Sequence, residues 1–177
     1  MQRPVVFSLV LCLSILVSAG AAQPLWADTR VGMSEAQVLA VVPGAALVPE
    51  SARATDVFGT AWSVESRDVR VLDLTGSATF GFDEAALRVA KLQFESPLTG
   101  VAADAECAGL LGTLTERHGT PGATERHASL GMSFTQATWL DGTVQVVAMC
   151  LGSAHATRYF VGIRPLSARE LTAMRAP

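Results

Sequence analysis

Three histidines, three cysteines and a few clustered carboxylates are the residues of this 177-residue chain that could carry chemistry. His118, His127 and His155 are too scattered for metal spacing, and neither Cys107 nor Cys150 belongs to a Cys-x-x-Cys, so no metal site is expected. Cys107 and His118 share one predicted helix but stand about three turns apart, roughly 16 Å, too far to exchange a proton. Gly131-Met132-Ser133 lacks the closing glycine of a nucleophile elbow. Asp83 and Glu84 fall at a hairpin tip. Asp68 and Asp73 lie near Arg67 and Arg70, the pattern of cross-strand charge pairs on a solvated face. No phosphate loop or dinucleotide fingerprint is present. These residues predict no catalytic constellation and no cofactor.

Two other groups remain. Cys107 and Cys150 form an even pair if the leader carrying Cys12 is removed, and in an oxidising compartment such a pair reads as one disulfide. It would close a loop of about 44 residues and add about 3–4 kcal/mol on the chain-entropy model. The alternative is two buried free thiols acting as small hydrophobes. The aromatic residues Trp62, Phe80, Phe82, Trp139 and Tyr159 all fall on predicted strands; most suit a core. If several share the open face of a sheet, they make a binding surface of the residue types that carry interface energy.

The compartment is written at the N-terminus. Arg3 precedes the apolar run Val5–Val17, and Ser18-Ala19-Gly20-Ala21-Ala22 supplies small residues for cleavage, so residues 1–22 read as a signal peptide of a periplasmic or secreted protein. An uncleaved anchor is the other reading, because the run is barely long enough to span a bilayer. Loss of Arg3 takes the formal charge from −3 to about −4, and Lys91 is the sole lysine. Nucleic-acid binding by phosphate neutralisation is disfavoured, and no integral span is expected after cleavage. Half the chain is hydrophobic and 16% charged, enough for a real core.

The elements that must position these residues follow from periodicity. Ser34 and Gln37 form a capping box for a short helix to Val42, with Met33 and Val38 as its hydrophobic staple and Pro43-Gly44 as its stop. Alternation predicts strands over 57–65 and 68–74, with Gly76 as a break. A hairpin of 78–82 and 88–95 turns at 83–86 without the glycine of the tightest turns. Cys107, Leu110, Leu111 and Leu114 form the stripe of a second helix, 104–118, closed by Gly119. Strands are predicted over 132–140, 143–151 and 157–163, the first two joined at Asp141-Gly142, and a C-terminal helix is capped by Ser167 and Glu170. The fold class is therefore α+β, a helix packed on antiparallel sheet. The order suggests two tandem helix-plus-strand units, residues 23–96 and 101–177.

The stretch Val31-Gly32-Met33-Ser34-Glu35-Ala36-Gln37-Val38-Leu39 resembles the helix start of the outer-membrane assembly lipoproteins of the SmpA/OmlA (BamE) type. It is also similar to the repeated motif of the β-lactamase inhibitor protein, and Ala78-Thr79-Phe80-Gly81-Phe82 resembles their sheet. The resemblance implies a helix laid on an antiparallel sheet and a function in binding; no inhibitory residue carries over. The expected function is an exported, non-catalytic binding protein that acts on an envelope or secreted macromolecule, with a protein partner in the cell envelope expected. The alternative is a periplasmic binder of small hydrophobic ligands or lipids, using a pocket between helix and sheet.

Overall fold

The computed structural model describes residues 26–56, 59–129 and 131–175. The leader at 1–22, with Arg3 and Cys12, lies outside them, as do Val57 and Phe58 of the first predicted strand. The elements in chain order are α1 (Glu35–Val41), β1 (Ala45–Leu47), β2 (Ala54–Thr55), β3 (Ala61–Val71), β4 (Leu74–Asp83), β5 (Ala86–Ser96), α2 (Gly100–His118), β6 (Ala123–Ser129), β7 (Met132–Asp141), β8 (Val144–Gly152), β9 (Thr157–Pro165) and α3 (Ala168–Arg175). The nine strands form one antiparallel sheet in the order β1-β3-β4-β5-β9-β8-β7-β6, with β2 on the outer edge of β3 beside β1.

The mixed α+β class stands, but the chain does not build a sheet for each half. β5 pairs with β9 over seven residues, from Ala90–Ile163 to Ser96–Thr157, and this ladder joins both halves into one strand-dominated sheet. An unpaired β5 edge would leave a row of apolar residues and free backbone groups open, and pairing it with the last strand removes that edge.

Local signals formed much as read. Ser34 accepts from the Gln37 N–H at 3.3 Å, and the Gln37 side chain accepts from the Ser34 N–H at 2.8 Å. Val38 is fully buried, and Met33 packs against the core. Gly32 sits at φ +89°, a conformation that favours glycine, and its N–H reaches the Leu87 carbonyl at 2.9 Å. Thus the motif residues also tie the helix start to β5. The 83–86 hairpin turns through Glu84 and Ala85, both left-handed at φ +48° and +62°. This is the primed geometry that matches strand twist, held here without glycine at about 1 kcal/mol or more per residue.

Three readings change. The strands predicted at 57–65 and 68–74 are largely one bent strand, β3, interrupted by register shifts around Ser63 and Asp68, the latter at φ +64°. The turn follows at Leu72–Asp73, and Gly76 lies inside β4 rather than ending a strand. A Cβ on Gly76 would stand 2.0 Å from the Gln93 carbonyl oxygen, so the glycine permits close approach to β5. Residues 45–47 and 123–129, where periodicity predicts no strand, are strands β1 and β6.

The registers sort every strand residue onto one of two faces. Trp139, Val146, Ile163, Ala90, Phe80 and Val64 form one continuous row across six strands on the face that α1 and α2 cover. Its neighbour is the row Ala137, Ala148, Val161, Leu92, Ala78 and Ser66, in which Ala137, Ala148, Ala78 and Ser66 are small enough for close helix approach. Cys107 and Cys150 are bonded, with Cα atoms 6.1 Å apart, and fasten α2 to β8.

Ser34→Ala is expected to lower stability by about 1 kcal/mol. Gly76→Ala should cost more, about 1–3 kcal/mol, because backbone must move to admit the methyl. Denaturant unfolding of both variants checks the order; a Gly76→Ala protein as stable as the parent would contradict the register of β4 on β5.

Candidate functional site

Four of the five aromatic residues named for a possible binding face lie in the core, as suits most of them. Phe80, Trp139 and Tyr159 are fully buried and Phe82 nearly so, all beneath the helices. They point there because each shares strand parity with residues that meet α1 and α2. Only Trp62 faces the other way, half-buried and opposite Gly81.

The same parity sends a different apolar set to the uncovered face. Phe134, Leu151 and Arg158 lie in one cross-strand row, flanked by His127 and Glu95. Met149 and Phe160 are neighbours in the next row, with Gln136 and Gln93 beside them, and Val147 and Gly162 follow in a third. Leu151 is 38% exposed and Met132, beside the same end, 64%. The patch is rimmed by Arg158–Glu95 at 3.7 Å, and Lys91 stands 5.6 Å above the Phe160 ring. His127 stacks on Phe134 with ring centres 6.0 Å apart.

Two grooves flank this patch on the open face. One, of about 740 Å3, has Met132, Phe134 and Leu151 as apolar walls and His127, His155, Arg158 and Glu95 as polar ones. The other, of about 750 Å3, runs past Trp62, Arg88, Arg164, Leu166 and Glu170. There α3 closes the end of the face: Arg164 Nη1 donates to Glu170 Oε1 at 2.8 Å, and Gln145 Nε2 reaches Met174 Sδ at 3.8 Å. The Ser167 N–H donates to Glu170, and with Arg164 and the Ser167 hydroxyl it holds the Glu170 carboxyl down at about 2.

On the covered face, the space beneath α1 and α2 is filled by the core, and the opening there is at the sheet margin. α2 stops short of β6, leaving a cleft of about 590 Å3 among Asp104, Ala105, Ala108, Arg126, Ala128 and Thr135. The base of α2 is anchored through Tyr159, whose hydroxyl donates to Glu106 Oε2 at 2.7 Å. Burial, then the Glu106 carboxylate, push the Tyr159 phenol far above its ordinary value.

His127, His155, Ser133 and Glu95 line one groove, and His118 lies elsewhere. His118 Nδ1 meets Asp141 Oδ2 at 3.0 Å, which docks the end of α2 onto the β7–β8 turn; none of the grooves described above includes this pair. His127 is on strand β6, 3.9 Å from Glu125. Ser133 lies within β7, with no strand-turn-helix around it. No group of three His, Cys, Asp or Glu side chains that could hold a metal occurs among the described residues. Among them no helix is long and apolar enough to cross a membrane.

The open-face residues were absent from the sequence-derived set, although their strands were in it. Once Tyr159 and Cys150 are assigned inward, period 2 places Phe160, Met149 and Leu151 outward. Both faces of residues 144–151 are apolar, so alternation alone does not say which one the helices cover. Comparison with protein-family models, with curated proteins and with solved structures found no match.

Two titrations follow. Tyr159 is the sole tyrosine, so phenolate absorbance reports it alone. Its folded value lies above the unfolded one, so its stabilisation is full below the unfolded value of about 10 and is lost as pH rises beyond it. The phenolate should therefore appear only together with alkaline unfolding; ionisation at about 10 in a folded chain would contradict its burial. Glu170 is the opposite case. The stabilisation from its ionised carboxyl is present above its ordinary 4.5 and is lost as pH falls towards about 2. Amide exchange in α3 should rise over that window, and Glu170→Gln should remove the dependence.

Proposed function

We propose that this chain is an exported, non-catalytic binding protein that holds a protein partner of the cell envelope on the open face of its sheet. The observation that carries the reading is the contiguous apolar patch of Phe134, Leu151, Met149 and Phe160. No helix among the described residues covers it, and a rim of Arg158, Glu95 and Lys91 surrounds it. Leu151 is exposed and Phe134, Met149 and Phe160 are half-buried, and a contiguous apolar patch bounded by charge is the anatomy of an interaction site. The Cys107–Cys150 bond fits an oxidising compartment, periplasmic or secreted.

The resemblance of the Gly32-Met33-Ser34 helix start to the assembly lipoproteins and the β-lactamase inhibitor protein points the same way. So does the order of a helix followed by antiparallel strands, which occurs once in 23–96 and again in 101–177. On this reading the two halves are tandem units fused through β5 and β9.

A second reading is favoured by the groove of about 740 Å3 walled by Met132, Phe134 and Leu151. It has the size of small-ligand sites, and would make the chain a periplasmic binder of a small hydrophobic ligand or lipid.

Leu151→Glu and Phe160→Glu should each weaken partner capture from an envelope extract at least about tenfold. Leu151→Glu should leave the unfolding midpoint nearly unchanged, as surface substitutions do, whereas Phe160→Glu, at a half-buried position, should lower it. Failure to recover any specific partner with the parent chain would sink the leading reading. Saturable binding of a long-chain fatty acid, lost in Leu151→Glu, would favour the second.

A further inference from the structure

The two ends of the sheet are guarded very differently. One end is closed by β1 and β2, three and two residues long, which are too short to template a further strand. The other end is β6, seven residues long and exposed at every position. Its register on β7 is unbroken from Ala123–Thr138 to Ser129–Met132, and it contains no proline, lysine or bulge within that run. Of the usual devices that blunt an edge, it carries only the charges of Glu125 and Arg126 and lacks proline, lysine, bulge and short length.

Pairing parity fixes which backbone groups are free. Ser129 and Met132 flank a two-residue turn, so that pair exchanges both hydrogen bonds, and residues 127, 125 and 123 follow suit along the ladder. The N–H and C=O groups of Thr124, Arg126 and Ala128 therefore point away from β7.

We propose that β6 pairs with β6 of a second copy of this chain, antiparallel and centred on Arg126, joining the two sheets edge to edge. In this register the three outward-pointing residues of one strand meet the three of the other, Thr124 with Ala128 and Arg126 with Arg126. The strands overlap along their whole length. Glu125 then stands opposite His127 of the second copy, twice by symmetry, at the closer non-hydrogen-bonded positions. A shift of two residues one way opposes Glu125 to Glu125. The same shift the other way opposes His127 to His127. Only the Arg126-centred register is complementary at both sites. Its one cost is the opposition of the two Arg126 side chains, on the face where Asp104 shares their cleft.

The test is the mass of the full oxidised chain, after removal of any leader, by light scattering during size exclusion. A dimer is expected. Ala128→Pro deletes an outward N–H without touching the β7 ladder and should give a monomer with unchanged circular dichroism. Glu125→Lys keeps every backbone donor and should weaken the dimer at least about tenfold. Glu125→Lys with His127→Glu should restore it. A parent chain that stays monomeric at the highest concentration reached overturns the proposal. So does a dimer that neither Ala128→Pro nor Glu125→Lys disturbs.

Discussion

Strand register is the constraint on which the other features depend. Side chains alternate with a period of two, so a slip of one residue in any ladder would move an entire row to the opposite face. Trp139, Val146, Ile163, Ala90, Phe80 and Val64 reach the helices only because five successive ladders agree in phase. The open-face patch is the remainder of the same arithmetic: residues out of phase with Tyr159 and Trp139, such as Phe134, Met149 and Leu151, fall on the other face. Core and candidate site are thus two outcomes of one set of pairings. The shifts at Ser63 and Asp68 reset the phase of β3 locally, and bulges of this kind re-aim side chains near a sheet margin.

Helix α2 depends on that sheet in a specific way. Its N-terminal half is fixed by the Tyr159 hydroxyl and the Cys107–Cys150 bond, and its far end by His118 on Asp141. Cys150 and Tyr159 are themselves direct cross-strand partners, so covalent and hydrogen-bonded anchors grip adjacent strands at one level. Trp139 Nε1 is buried with no hydrogen-bond partner among the described residues, a cost of about 1–3 kcal/mol that the surrounding apolar packing must exceed.

The features legible in the sequence were those decided within a few residues. Ser34 with Gln37, Ser167 with Glu170, and Asp141-Gly142 declare a cap or a turn by themselves, and each formed as read. The stripe of Cys107, Leu110 and Leu114 gave the second helix, and the even cysteine pair gave its bond. What stayed hidden was decided by partners far along the chain. β6 is wholly exposed and has no apolar alternation to betray it; its existence rests on β7. Gly76 reads as a breaker until β5 lies 2.0 Å from where its Cβ would be. The choice of the covered face at residues 144–151 was invisible because Val147, Met149 and Leu151 are as apolar as their inward neighbours.

The β5–β9 ladder has a consequence for the order of events during biosynthesis. A chain is made from its N-terminus, so β3, β4 and β5 are complete when β9 does not yet exist. During that interval β5 is a terminal strand, and Leu92 and Phe94 have no β9 beside them. More than sixty residues must follow before the strand that finishes the sheet is available. Contacts of such sequence separation are closed slowly, so the nascent first half has a window in which its central strand is an open template for other chains.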